Sequence, residues 1–345
     1  MRKIGVLLIL FSLTWNSQAQ IQKILFDFEF EGAFLNGVLN MPDTIPKGVA
    51  LIVHGSGKTN AVEQEWYYDV REQFVKSGYA VYMWDKMGCG ASGGAFEYNQ
   101  SVQNSALEVI AAIGALKKAN ISGSDKIGLW GISRAGWINP LVIDQYKDIQ
   151  FWLSVSGVDA KENFKYLLKE SLRINGYPKD AVTLLVDEWQ KGVRITHSGG
   201  SFETYLEATP NLRDNEFLLR FTNGGITEEG YYTYQEGFMK EKLDEESGLQ
   251  VYIKDFDNIL SNTNCPVLAL FGEKDMNVDW NKTKALYEST HRITSDLTIK
   301  SFPDCYHNMY KCKTGGFFEF QDNNLPRDRC EDFLKTMSDW LAKIK

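Results

Sequence analysis

The stretch Gly131-Ile132-Ser133-Arg134-Ala135 carries the residue types most able to do chemistry in this chain. A serine hydroxyl is a weak nucleophile in water and needs a base within hydrogen-bonding reach and an exposed Oγ. A sharp turn from strand into helix lifts the oxygen clear, provided the residues two before and two after the serine are small. Gly131 meets that demand, and Ala135, followed by Gly136, meets it with one extra methyl group. An apolar run ends at Trp130 and a helical pattern covers 135–146, so Ser133 falls at such a junction and is the expected nucleophile.

Four histidines compete for the role of base. His54 precedes a glycine loop and is expected to fix that loop by hydrogen bonding. His197 lies in an acidic, aromatic stretch, and His291 lies near the end of a predicted helix. His307 follows a strand ending near Ser301, in the loop Pro303-Asp304-Cys305-Tyr306-His307-Asn308. Loops at the C-terminal edge of parallel strands carry the sites of open α/β sheets, which makes His307 the expected base. A carboxylate must hold the imidazole in one tautomer. Asp275, in Phe271-Gly272-Glu273-Lys274-Asp275 after the penultimate core strand, is expected to do so, ahead of Asp279 and Glu273. Asp279 suits the N-cap of a helix starting near 280. The order Ser133, Asp275, His307 is the order these roles take on such a sheet. Attack on a carbonyl also creates a negative oxygen that needs two preorganised N–H donors. Arg134 is expected to supply one and Ser56, in His54-Gly55-Ser56-Gly57, the other.

Two other motif matches fail. Gly88-Cys89-Gly90-Ala91-Ser92-Gly93 fits a dinucleotide fingerprint, but the polar stretch Gly94 to Gln100 intervenes before any helical period. The fingerprint needs a helix opening inside the glycine turn. Gly55-Ser56-Gly57-Lys58-Thr59 resembles the end of a phosphate loop, yet Ile52 stands where that pattern requires glycine. No organic cofactor is expected. The cysteines lack a CxxC pair, and no metal is expected either.

The elements that must position Ser133, Asp275 and His307 follow from periodicity. Residues 24–41 alternate as an N-terminal β-hairpin around Glu31-Gly32. Val49–Val53, Ala80–Trp84, Lys126–Trp130, Phe151–Val155, Pro266–Phe271 and Leu297–Lys300 read as strands, the first a continuous apolar run buried on both faces. Helical patterns cover about 62–77, 101–119, 135–146, 279–292 and 331–344. Strand and helix alternating in this way predict a doubly wound, mostly parallel α/β sheet. Residues 159–258 break the rhythm with an acidic, aromatic, helical stretch, expected as a lid inserted into a core of residues 20–158 and 259–345.

The chain has 345 residues and a formal charge of −8. Arg2 and Lys3, the apolar Gly5–Leu13 and the small residues of Ser17-Gln18-Ala19 predict a secretory signal over residues 1–19. Removing it takes the charge to −10 and predicts an exported, periplasmic or extracellular protein. The acidic balance and the lack of Lys/Arg-rich runs argue against a nucleic-acid partner. No later stretch is long and apolar enough for a membrane span. Five cysteines remain, an odd number, so at least one is unpaired within the chain. A Cys312–Cys330 bridge beside His307 is expected, with Cys305–Cys312 as the alternative, and Cys265 is expected to be unpaired.

The pieces Leu51–Gly57, Asp85-Lys86-Met87-Gly88-Cys89-Gly90-Ala91-Ser92, Gly131–Gly136, Phe271–Asp275 and Tyr306-His307-Asn308 resemble the α/β-hydrolase superfamily over roughly residues 24–345. The Asp85–Ser92 segment resembles exported bacterial esterases and the prolyl-oligopeptidase-like branch. The resemblance implies hydrolysis of small-molecule carboxylic esters through an acyl-enzyme, without metal or organic cofactor. An exported aminopeptidase or dipeptidyl-peptidase-like enzyme is the second reading, although the chain has no room for the propeller of prolyl-oligopeptidase relatives. A non-catalytic binding protein on the same fold is the third.

Overall fold

The computed structural model describes residues 22–344 except 98–99, 162, 245–246 and 292–295, so the expected signal segment, 1–19, lies outside the described residues. The alternating N-terminal segment forms β1 (Gln22–Leu25), β2 (Phe28–Phe30), β3 (Ala33–Leu35) and β4 (Gly37–Met41). β2 and β3 make the expected hairpin, turning at Glu31 and Gly32 with φ of 48° and 77°. β1 and β4 flank it as a second antiparallel pair.

Regular alternation follows: β5 (Val49–Val53), α1 (Tyr68–Lys76), β6 (Ala80–Trp84), α2 (Val102–Lys118), β7 (Ile127–Ile132), α3 (Ala135–Gln145) and β8 (Ile149–Val155). The chain then runs through α4 (Phe164–Ile174), α5 (Lys179–His197), α6 (Phe202–Ala208), α7 (Glu216–Phe221) and α8 (Glu228–Phe238). A small ladder of β9 (Lys242–Leu243) and β10 (Gln250–Val251) interrupts the helical pattern expected for the whole insertion. The chain returns through α9 (Phe256–Ser261), β11 (Val267–Gly272), α10 (Trp280–Thr290), β12 (Leu297–Phe302), α11 (Glu319–Asn323) and α12 (Phe333–Leu341).

Eight strands form one sheet in the order β1-β4-β6-β5-β7-β8-β11-β12, antiparallel at β1–β4 and β4–β6 and parallel elsewhere. The apolar run of β5 divides between two cores, as a strand covered on both faces must. Val49, Leu51 and Val53 pack with Val109 and Ile113 of α2 and Ile138 of α3, whereas Ala50 and Ile52 pack with Phe74 of α1 and Met337 of α12. Helices α4, α5 and α7 bury a separate cluster around Leu168, Leu172, Leu185 and Phe217.

One helix is shorter than its periodicity predicts. The expected 62–77 helix begins only at Tyr68, because Glu65 and Tyr67 both take φ of 53°, which interrupts a right-handed helix. This run of turns brings Trp66 and Tyr67 to His54, with ring centroids 6.0 Å and 5.8 Å from the imidazole.

Candidate active site

Ser133 follows the last residue of β7, and Arg134 alone separates it from α3. Its φ is 57°, a left-handed conformation that costs a non-glycine residue about 1–3 kcal/mol. The turn is held by Ser133 N–H donating to the Val155 carbonyl and by Gly136 N–H donating to the Ser133 carbonyl. Gly131 is required here. A Cβ on it would stand 2.4 Å from Asn139 Nδ2 and 2.6 Å from the Ala135 methyl, so the alanine is tolerated only because position 131 is bare.

Asp275 and His307 come together from the loops after β11 and β12. Asp275 Oδ2 accepts a hydrogen bond from His307 Nδ1 at 2.7 Å. Its Oδ1 accepts from the N–H groups of Asn277 and Val278, at 2.9 and 3.0 Å, so both carboxylate oxygens are occupied in a fully buried position. Asp279 does not compete. It caps α10, its side chain accepting from Lys282 N–H. Glu273 accepts instead from the Ser301 hydroxyl.

Two residues that periodicity and motif do not reveal support this pair. Ser156, just past β8 with φ of 45°, donates its hydroxyl to the His307 carbonyl at 2.6 Å. Tyr166 of α4 donates its hydroxyl to the Asp275 carbonyl at 3.2 Å, joining α4 to the carboxylate's loop. Neither has a local signal beyond Ser156 being a small polar residue at a strand end.

Ser133, His307, Ser56 and Arg134 all line one cavity of about 860 Å³. Gly55 packs against the serine, and a Cβ built on it would lie 3.2 Å from Ser133 Cβ. The stretch between β8 and β11 contributes Phe164, Leu167, Phe221 and Tyr252 to the cavity wall. The acids in the wall are already engaged: Glu65 pairs with Arg71 and Lys23, and Asp69 pairs with Arg329. Among the described residues, no group of three or more His, Cys, Asp or Glu side chains is arranged to hold a metal ion.

The other histidines serve the framework. His54 Nε2 donates to the Trp84 carbonyl at 2.8 Å, the expected tie on its loop, and burial pushes its pKa down to about 3. His197 bonds the Glu241 carbonyl, and His291 is buried at the end of α10, where burial lowers its pKa. Among the described residues, the helix after Gly88–Gly93 opens at Val102, so the glycine turn itself does not open a helix.

The cysteines correct the expected pairing. The disulfide joins Cys305 to Cys330, with Cα atoms 5.9 Å apart, and Cys312 is free, so neither Cys312–Cys330 nor Cys305–Cys312 forms. Strand register decides the partner. Cys305 bridges Lys311, Tyr310 bridges Arg329, and Cys330 N–H donates to the Met309 carbonyl, which stacks Cys330 over Cys305. Cys312, one residue past the bridge, sits beside Lys274 and Glu319, and burial there pushes its thiol up to about 12. Cys265 and Cys89 are free and buried.

A family model described as serine aminopeptidase, S33, matches residues 44–174, the segment from before β5 through α4. Most of the chain superimposes on solved hydrolases. The esterase Pf2001 of Pyrococcus furiosus is 16% identical, covering 94% of this chain and 93% of its own, with a TM-score of 0.54. This is an α/β-hydrolase fold. The proline iminopeptidase of Mycobacterium smegmatis shares the α/β-hydrolase core at 15% identity, covering 92% and 97%, with a TM-score of 0.55. Est1E of Butyrivibrio proteoclasticus, solved with ferulic acid bound, is 16% identical over 92% and 96%, with a TM-score of 0.51. No curated protein sequence matches the chain. Within the α/β-hydrolase sheet, Ser133, Asp275 and His307 all stand at the C-terminal ends of β7, β11 and β12.

Proposed function

We propose that this chain is an exported serine hydrolase that cleaves carboxylic esters of small molecules through an acyl-enzyme. The observation that carries the reading is the pairing of Asp275 with His307 Nδ1 in the wall of the cavity that also holds Ser133. With its Nδ1 proton committed to the carboxylate, His307 presents an unprotonated Nε2, the form a general base needs. In the proposed reaction Nε2 takes the Ser133 proton as Oγ attacks the ester carbonyl. The Ser56 and Arg134 N–H groups stabilise the oxyanion, and His307 returns the proton to the departing alkoxide. Water, activated by the same imidazole, then hydrolyses the acyl-enzyme. The residues 159–258 act as a lid, and residues 1–19 direct export to the periplasm or beyond.

The state of the cavity's acids favours esters over peptides. An aminopeptidase must hold a free α-ammonium, which calls for an unpaired carboxylate. Both acids lining the cavity, Glu65 and Asp69, are already bound to basic side chains. A panel of nitrophenyl esters of increasing acyl length, run beside aminoacyl anilides, tests the reading. Esters are expected to turn over at least about 100-fold faster in kcat/KM, a gap of about 2.7 kcal/mol in transition-state stabilisation. Faster anilide cleavage would make the enzyme a peptidase, and turnover of neither would favour a binding protein.

A further inference from the structure

The glycine-rich segment after β6 holds no place in the reaction proposed above, yet it is fastened to the loop that carries Ser56. Ala61 N–H donates to Asp85 Oδ1, and Lys86 N–H donates to the Thr59 hydroxyl at 2.9 Å. The Lys86 ammonium donates to two carbonyls, Gly55 O at 2.5 Å and Gly57 O at 2.9 Å, on either side of Ser56. Gly90 lets the segment close over its own start. Its φ is 53°, and a Cβ there would lie 2.3 Å from Asp85 Oδ2. The Ser92 hydroxyl completes the closure by donating to the Asp85 carbonyl.

We propose that Lys86 is a positioning residue of the oxyanion hole: clamped between the Gly55 and Gly57 carbonyls, it aims the Ser56 N–H at a substrate carbonyl oxygen bound beside Ser133. The proposal rests on the ester-cleaving reading. In a trans peptide the carbonyl and the following N–H point in opposite directions. Drawing the Gly55 carbonyl onto Lys86 therefore turns the Ser56 N–H away from Lys86. Ser56 and Gly57 line both the cavity of Ser133 and an adjoining one of about 170 Å³, and Lys86 lines only the second. In the proposed arrangement the N–H turned from Lys86 is turned toward Ser133, against which Gly55 packs.

Charge acts in the same direction. An ammonium on the carbonyl polarises the peptide and strengthens its N–H as a donor. Arg134 carries the other donor, and its guanidinium is bonded to the Ser105 hydroxyl and the Gln100 carbonyl. Two cationic side chains thus lie near the two donor residues. The carboxylate that balances them, Glu108, is buried and bonded to the Trp84 indole N–H and the Gln100 amide. Burial and the nearby Arg134 push the Lys86 pKa down to about 8, so a cation is held here against the preference of its surroundings. A charge kept at such a cost calls for a role.

The test compares the wild-type enzyme with Lys86→Met and Lys86→Gln, each checked for thermal unfolding. Three readouts are taken: nitrophenyl-ester kinetics, inhibition by a trifluoromethyl ketone whose hemiketal oxygen occupies the oxyanion hole, and labelling of Ser133 by a fluorophosphonate. Lys86→Met is expected to lower kcat about 100-fold, with KM changed less than about threefold. Ketone affinity should fall by about the same factor as kcat. Lys86→Gln, able to serve one carbonyl, is expected to lie between and carries the test alone if the methionine variant does not fold. Unchanged ketone affinity in a folded variant, or a kcat within threefold of the wild type, overturns the proposal. A wild type that no fluorophosphonate labels at Ser133 overturns the ester-cleaving reading itself, whatever the Lys86 variants do.

Discussion

Asp275 and His307, 32 residues apart in the chain, meet at 2.7 Å with the carboxylate fully buried and its second oxygen held by two backbone N–H groups. That second grip makes an amide substitution informative. In Asp275→Asn the side-chain oxygen keeps the Asn277 and Val278 N–H groups, which leaves the NH₂ facing His307 Nδ1. The ring must then accept there and carry its proton on Nε2, the nitrogen meant to act as base. Asp275→Asn is expected to lose about 10⁴-fold in kcat with its fold intact. Asp279→Ala should keep kcat within about threefold and lose about 1 kcal/mol of stability, as a lost helix cap does. Initial rates and urea unfolding of the two variants check this, and the reverse pattern would make Asp279 the acid.

The Cys305–Cys330 bridge encloses His307 in a loop with a sequence separation of 25. A closure of that length restricts the unfolded chain by about 3.5 kcal/mol in the loop-entropy model. Cys330→Ala should therefore lower the unfolding free energy by a few kcal/mol, on the order of 3. Peptide mapping without reductant should return the 305 and 330 peptides joined and Cys312 open to alkylation. Cys312 found in a bridge would reject the register that pairs the other two.

His54 sets an acid limit on stability. Its buried imidazole is held neutral, with a pKa of about 3, against 6.5 in the unfolded chain. Between those values the unfolded state binds the extra proton. The stabilisation is complete above pH 6.5 and is lost as pH falls toward 3, at up to about 1.4 kcal/mol per pH unit. His291 acts in the same direction through burial. Urea titrations at pH 7, 6 and 5 should show stability falling with acid, and the fall should be shallower in His54→Gln by up to about one proton's worth. Equal slopes in both proteins would mean that His54 takes up its proton as readily in the folded as in the unfolded chain.

Much of the fold can be read from the sequence because a parallel sheet writes its strands as apolar runs. Val49–Val53 and Val267–Gly272 are bounded within a residue or two of where apolarity begins and ends. Ser133 is legible through the small residues at 131 and 135, and the pairing of His307 with Asp275 through strand-end position in a chain with four histidines. What escapes a linear reading depends on tertiary register. Cys330 reaches Cys305 only because 328–330 lies along 309–311, a pairing with no local signal. Tyr166 joins Asp275 across 109 residues, and Ser156 joins His307 across 151. Residues 62–67 read as helix because their composition suits one, whereas the chain needs left-handed turns there to bring Trp66 and Tyr67 to the cavity.

The most direct measurement is the rate and location of fluorophosphonate capture, followed by intact-mass and peptide mass spectrometry in the wild type and His307→Gln. If the imidazole drives the serine, the wild type carries one adduct, on the peptide containing Ser133, and His307→Gln forms it about 10³-fold more slowly. An adduct on another residue, or equal rates in the two proteins, would contradict it.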